Sequence, residues 1–179
     1  MPDRTIASWR IVVWGCAAAL LLAATIANRT VAGFNWTPRD FLGAALVLGA
    51  VCLAYEITTR KAASSAFRAA TCLALLGGFV VVWANFAVGI IGTEDNPANL
   101  MFLAPLALGA AAAFAVRFRP AGMAETLALL AAVYAALGLW LALWVAPMPG
   151  GLIFLVAAIW SAAALLYKRT AGPAQPCIT

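Results

Sequence analysis

Trp83, Asn85, Glu94, Asp95, Asn96 and Asn99 are the residues of this chain whose types and spacing could do chemistry. They fall in one stretch that runs from an apolar segment through a polar turn into the next apolar segment. Glu94, Asp95, Asn96 and Asn99 bring oxygen-bearing side chains close together in sequence. A hard cation such as Ca²⁺ or Mg²⁺ prefers ligands of this kind. The spacing is not that of an EF-hand loop, and no metal site is assigned. Asn85 lies below the turn. With a helix running on to Gly92, it would sit roughly 10 Å into the membrane at about 1.5 Å per residue. A buried amide needs a hydrogen-bond partner. A neighbouring helix can supply one, in a bond that averages about 0.6 kcal/mol. The sharper expectation is that Asn85 and Trp83 line a polar vestibule that opens at the acidic turn. Asn85→Leu separates the two: lost binding at unchanged stability marks a site, and simple destabilisation marks packing.

Helix capping explains much of the same stretch. Gly92 can end one helix. Asn96 suits an N-cap, Pro97 the first helical position, and acidic residues a helix start.

Other polar residues have ordinary readings. Glu56 precedes Arg60 by four positions, an i,i+4 ion pair at a helix end. Glu125 falls in the first turn of a helix expected to begin at Ala124, where the macrodipole favours a carboxylate. Pro105 is expected to kink its helix. Asn28-Arg29-Thr30 matches a glycosylation sequon, a short and unspecific pattern.

Histidine is absent, and the four cysteines form no CxxC pair. Haem, zinc and di-iron sites are hard to build from such a set, so no cofactor is expected. Cys16, Cys52 and Cys72 read as small hydrophobes within apolar runs. Cys177 stands third from the end and does not fit a prenylation box. No Ser–His–Asp set, phosphate-binding glycine loop or HExxH occurs. No charged residue lies mid-span. A central charge costs about 2.5–3.5 kcal/mol on insertion scales and is kept for function, so charge-coupled transport is disfavoured.

The elements that must position these residues are membrane helices. Of 179 residues, 66% are hydrophobic and 9% charged, against about a quarter charged in a soluble domain. Mean hydropathy is +1.01. Six apolar runs are long enough to span about 30 Å of hydrocarbon: Trp9–Ala27, Asp40–Thr58, Arg68–Gly92, Ala98–Val116, Ala124–Ala146 and Pro149–Tyr167. They are continuous rather than alternating, so they are helices and not barrel strands. The first run exceeds the usual length of a signal-peptide core and is read as a retained helix. The expectation is an all-α integral membrane bundle of six transmembrane helices, a single domain over 1–170 with a short cytoplasmic tail at 171–179.

The net charge of +5 does not point to nucleic acid, because the basic residues sit in small groups between apolar runs. Of the 11 Lys and Arg, nine (Arg4, Arg10, Arg60, Lys61, Arg68, Arg117, Arg119, Lys168 and Arg169) fall on one side of the expected topology. Only Arg29 and Arg39 fall on the other. The positive-inside rule then places both termini in the cytoplasm. Trp9, Tyr55 and Tyr167 are expected at the inner interface, and Trp36, Trp140 and Trp144 at the outer one, as an aromatic belt. Small residues four apart, such as Ala45 and Gly49 or Gly109 and Ala113, would allow close helix packing. A Leu-Ala-Leu-Leu run opens both the third and fifth helices, compatible with a duplicated hairpin.

Asn35-Trp36-Thr37-Pro38 with Asp40-Phe41, the Trp83–Asn99 stretch, and Arg117-Phe118-Arg119-Pro120 with Gly122-Met123 resemble a group of small bacterial polytopic membrane proteins. The resemblance implies a bacterial inner-membrane location and carries over no activity and no catalytic residue. The leading expectation is a non-enzymatic accessory or interaction component, in contact with the bilayer and with a membrane partner or a second copy. A channel or transporter for a small neutral or cationic solute comes second. A membrane-embedded lipid-modifying enzyme comes third, because no nucleophile–base pair is evident. A cavity near the inner interface lined by Glu56 or Glu125 would favour that third reading.

Overall fold

Prolines and capping residues start most of the helices. Pro38, Pro120 and Pro147 each open one and Pro97 opens a 3-10 turn; the proline lacks an N–H that the first turn would leave unbonded. A computed structural model describes residues 3–60 (backbone only for 3–8), 64–87, 89–93 and 95–171. Lys61, Cys177 and tail residues 172–179 lie outside them. The helices are α1 (Asp3–Thr30), α2 (Pro38–Thr59), α3 (Ser65–Ala87), α4 (Leu100–Ala115), α5 (Pro120–Trp144) and α6 (Pro147–Thr170). No strand occurs among the described residues. Six spans, the shortest formed by the Pro97–Asn99 turn with α4, are long and apolar enough to cross a membrane. The all-α membrane fold is therefore as the hydropathy predicts.

Two compact units divide the chain, Met1–Arg60 and Lys61–Thr179. In the first, α1 and α2 form a hairpin. Asn28 closes its turn: the side-chain Oδ1 accepts from the Trp36 N–H at 2.8 Å, and Nδ2 donates to the Trp36 carbonyl at 3.2 Å. Phe34 stacks on Trp36, and Phe41 meets Trp36 edge-on. The Asp40 carboxylate accepts from the Thr37 N–H at 2.7 Å and the Thr37 hydroxyl at 2.8 Å, capping α2. At the open end Glu56 holds Arg10 at 2.7 Å, the Trp14 indole N–H at 3.3 Å and Arg60 at 3.7 Å. The i,i+4 pair expected from sequence is present, and a tighter cross-helix pair accompanies it. One face of α2 is buried, through Ala44, Leu48, Cys52, Tyr55 and Thr59.

In the second unit α5 and α6 form the core pair, with α3 against α6 and α4 against α5. The buried residues of α6 (Gly150, Ile153, Val156, Ala157, Trp160, Ala163, Ala164 and Tyr167) repeat at helical spacing. The two backbones meet at glycine. A Cβ on Gly150 would lie 2.9 Å from the Gly138 carbonyl and from the Ala142 nitrogen. Such contact lets helices gain dispersion energy where lipid supplies no hydrophobic drive.

Several boundaries differ from the hydropathy reading. Helix α3 ends at Ala87 rather than Gly92. Gly89 takes a positive φ of 77° and its N–H reaches back to the Ala84 carbonyl at 2.8 Å, a helix-ending bond. Helix α5 begins at Pro120, so Glu125 lies in its second turn and not its first. Tyr55 and Tyr167 are 2% and 1% exposed. They belong to the interior and not to a lipid-facing belt, whereas Trp140 and Trp144 are exposed.

Candidate functional site

The stretch between α3 and α4 folds around Asn99. Its Oδ1 accepts from two consecutive backbone N–H groups, Ile91 at 2.7 Å and Ile90 at 3.1 Å, and its Nδ2 donates to the Thr93 carbonyl at 2.8 Å. Asn99 is 4% exposed. Asn96 works beside it. Its Oδ1 accepts from the Ala98 N–H at 3.0 Å, the expected N-cap bond, and its Nδ2 donates to the Ile91 carbonyl at 2.9 Å. Nonhelical backbone near a membrane must be satisfied by the protein. These two amides do that for the Ile90, Ile91 and Ala98 N–H groups and for the Ile91 and Thr93 carbonyls.

Asp95 is exposed on this turn. Glu94 lies outside the described residues. Among the described residues no three His, Cys, Asp or Glu side chains come together.

Asn85 stands in the last turn of α3, two positions from its end. The depth inferred from a helix running to Gly92 therefore does not hold. The side chain is 3% exposed. Its Nδ2 donates to the Val81 carbonyl one turn back, at 2.9 Å. Its Oδ1 is buried and, among the described residues, accepts no hydrogen bond. An unsatisfied buried acceptor costs about 1–3 kcal/mol, so this oxygen is a local defect at the end of α3. Trp83 stacks on Phe79, with ring centroids 5.6 Å apart. Of the six residues singled out in sequence, Asn96 and Asn99 form one clasp, while Asn85 and Trp83 belong to the end of α3.

Sequence reasoning missed the polar aromatic residues of the interior. Tyr134 on α5 donates its hydroxyl to the Phe102 carbonyl of α4. The Trp160 indole on α6 donates to the Ala74 carbonyl of α3 at 3.0 Å, and meets Tyr134 edge-on at 4.7 Å. The Thr71 hydroxyl on α3 donates to the Phe67 carbonyl at 2.9 Å, so the Tyr167 hydroxyl donates to Thr71 at 2.7 Å. Each polar aromatic side chain thus ties one helix to the next. The signal was available: a Tyr or Trp inside an apolar run needs an acceptor there, and Trp160 and Tyr167 are seven residues apart on one face.

Two apolar grooves flank α5. One, of about 450 Å³, lies between α4 and α5 and is lined by Pro105, Gly109, Leu129 and Val133, with Glu125 and Thr126. Glu125 is its only ionisable lining residue and is exposed. The other groove, between α5 and α6, is walled by alanine. No family profile, curated protein or solved structure matches the chain.

Proposed function

We propose that this chain is a non-enzymatic accessory or interaction component of a bacterial inner membrane, with both termini in the cytoplasm. The observation that carries this reading is the exposure of α1. Within the Met1–Arg60 unit, no residue of its apolar span Trp9–Thr30 is buried. Ile11, Val12, Leu20, Leu22 and Ile26 are all more than half exposed, and a Cβ on Gly15 would meet nothing within 4 Å. Membrane helices associate through small residues and close packing. A helix with an open Gly15-Cys16-Ala17-Ala18-Ala19 run is suited to receive a partner helix. The charge distribution supports the orientation, and the resemblance to small bacterial polytopic proteins supports the location.

The test is affinity purification of the full chain in mild detergent. A stoichiometric membrane partner should accompany it, and Gly15→Leu should remove that partner without lowering the thermal midpoint. Consistent recovery of the chain alone, with solute flux in liposomes, overturns the reading.

A second reading, a channel or carrier for a small solute, is favoured by one observation, the unpartnered Asn85 Oδ1. A solute or water donor would satisfy it. Flux in liposomes that is lost in Asn85→Leu at unchanged stability would support this reading.

A further inference from the structure

Between α5 and α6 runs an open furrow of about 540 Å³. Ala128, Ala132 and Ala135 wall it from α5, and Ala157 and Ala158 from α6. The hydroxyl of Ser161, which also lines it, is turned to the Ala157 carbonyl at 2.9 Å, so the lining is mainly apolar. Phe154 stands at one end and Lys168 at the other.

Length and charge identify the occupant. Its α5 wall covers Ala128 to Ala135, roughly 10 Å, and its α6 wall runs from Phe154 to Lys168, roughly 21 Å at 1.5 Å per residue. That is about half of a bilayer measured with its headgroups, roughly 40–45 Å in all. A partner helix would need a face running the full thickness of about 30 Å of hydrocarbon; an acyl chain needs only one leaflet. Lys168 is the only charged lining residue, it is exposed, and Arg169 follows it. Among the described residues Lys168 makes no ion pair. The groove on the other side of α5 ends instead in Glu125. The two grooves are both apolar and differ in the sign of the terminal charge.

We propose that the α5/α6 furrow binds one acyl chain of an anionic phospholipid, with its phosphate on Lys168. The site is independent of any partner on α1, so it can fail or stand without deciding the accessory role.

The test is native mass spectrometry of the full chain in mild detergent, with phosphatidylglycerol or phosphatidylcholine of identical acyl chains added. One phosphatidylglycerol should be retained in preference to phosphatidylcholine. Lys168→Gln should reduce that retention about fivefold, since one basic residue at a membrane surface contributes about 1 kcal/mol. Ala158→Leu, at an exposed position, should fill the furrow and remove the lipid. If that variant loses its thermal midpoint, Ala132→Leu on the opposite wall carries the same expectation. Ala112→Leu and Glu125→Gln, in the α4/α5 groove, should change nothing. Equal retention of the two lipids overturns the proposal. So does full retention in Lys168→Gln or in a folded furrow-filling variant, or a second copy of the chain displaced in place of lipid.

Discussion

The Trp160 indole lies directly against the backbone of Gly77. A Cβ built on Gly77 would stand 2.5 Å from the indole nitrogen, and that nitrogen donates to the Ala74 carbonyl at 3.0 Å. The α3/α6 interface is therefore built around one side chain that needs both a flat neighbour and a backbone acceptor one turn earlier. Trp160 is 1% exposed and meets Tyr134 as well, so it has no room to retreat.

Gly77→Ala should destabilise the protein by about 2–4 kcal/mol, the sum of overpacking and a lost buried hydrogen bond. Gly78→Ala is the comparison. A Cβ there meets Leu106 at 3.5 Å, an ordinary contact, so it should be neutral or slightly stabilising through helix propensity. Thermal unfolding in detergent, followed by tryptophan fluorescence, distinguishes the two.

Asn99→Ala should cost about 2–4 kcal/mol. It strips the partner from the Ile90 and Ile91 N–H groups, and each buried orphan carries a penalty of about 1–3 kcal/mol. Asp95→Asn, on the exposed side of the same turn, should change stability by less than about 0.5 kcal/mol. Equal effects at the two positions would show that the clasp does not hold the turn.

The six helices were legible because lipid leaves an apolar run no alternative to internal hydrogen bonding. Their ends were less so. Gly92 and Gly89 both look like helix terminators, and the choice was made by Asn99, whose two acceptor bonds draw residues 90 and 91 out of the helix. A capping role for Asn96 was readable from Asn96-Pro97; the larger role of Asn99 depends on contacts across the turn that spacing alone does not display. Tyr55 and Tyr167 stand near the ends of α2 and α6, and buried and lipid-facing aromatics look alike in sequence until their neighbours are known. Glu56 read as half of a local pair with Arg60, yet its shorter bond is to Arg10 on the neighbouring helix.

Arg117 and Phe118 both adopt positive φ, 54° and 55°, in the α4/α5 connection. The left-handed region costs a residue with a Cβ about 1–2 kcal/mol. Arg117 is exposed, so Arg117→Gly removes that cost without taking a contact from the core. It should raise stability by about 0.5–1 kcal/mol, read as an increase in thermal midpoint. Phe118 packs against the core and meets Phe114 edge-on at 5.1 Å. Phe118→Gly should therefore gain nothing, because lost burial offsets the relieved strain.

Among the described residues Glu56 is the carboxylate that joins α1 to α2, through Arg10 at 2.7 Å and the Trp14 indole at 3.3 Å. Arg10 is 54% exposed at its side chain, so solvent screening keeps the pair to about 0.5–1 kcal/mol. Its effect should be local to the hairpin rather than visible in global unfolding. Cys52, 2% exposed and with its thiol near the Val13 carbonyl at 3.8 Å, reports on that opening. In a chain whose other cysteines are alanine, Glu56→Gln should speed maleimide labelling of Cys52 about two- to fivefold. High salt should speed labelling of the parent chain in the same direction and have less effect on the variant, because only the parent has the ion pair to screen. Equal rates in parent and variant at low salt would mean that the turn clamp at Asn28 and the apolar face of α2 hold the hairpin without Glu56.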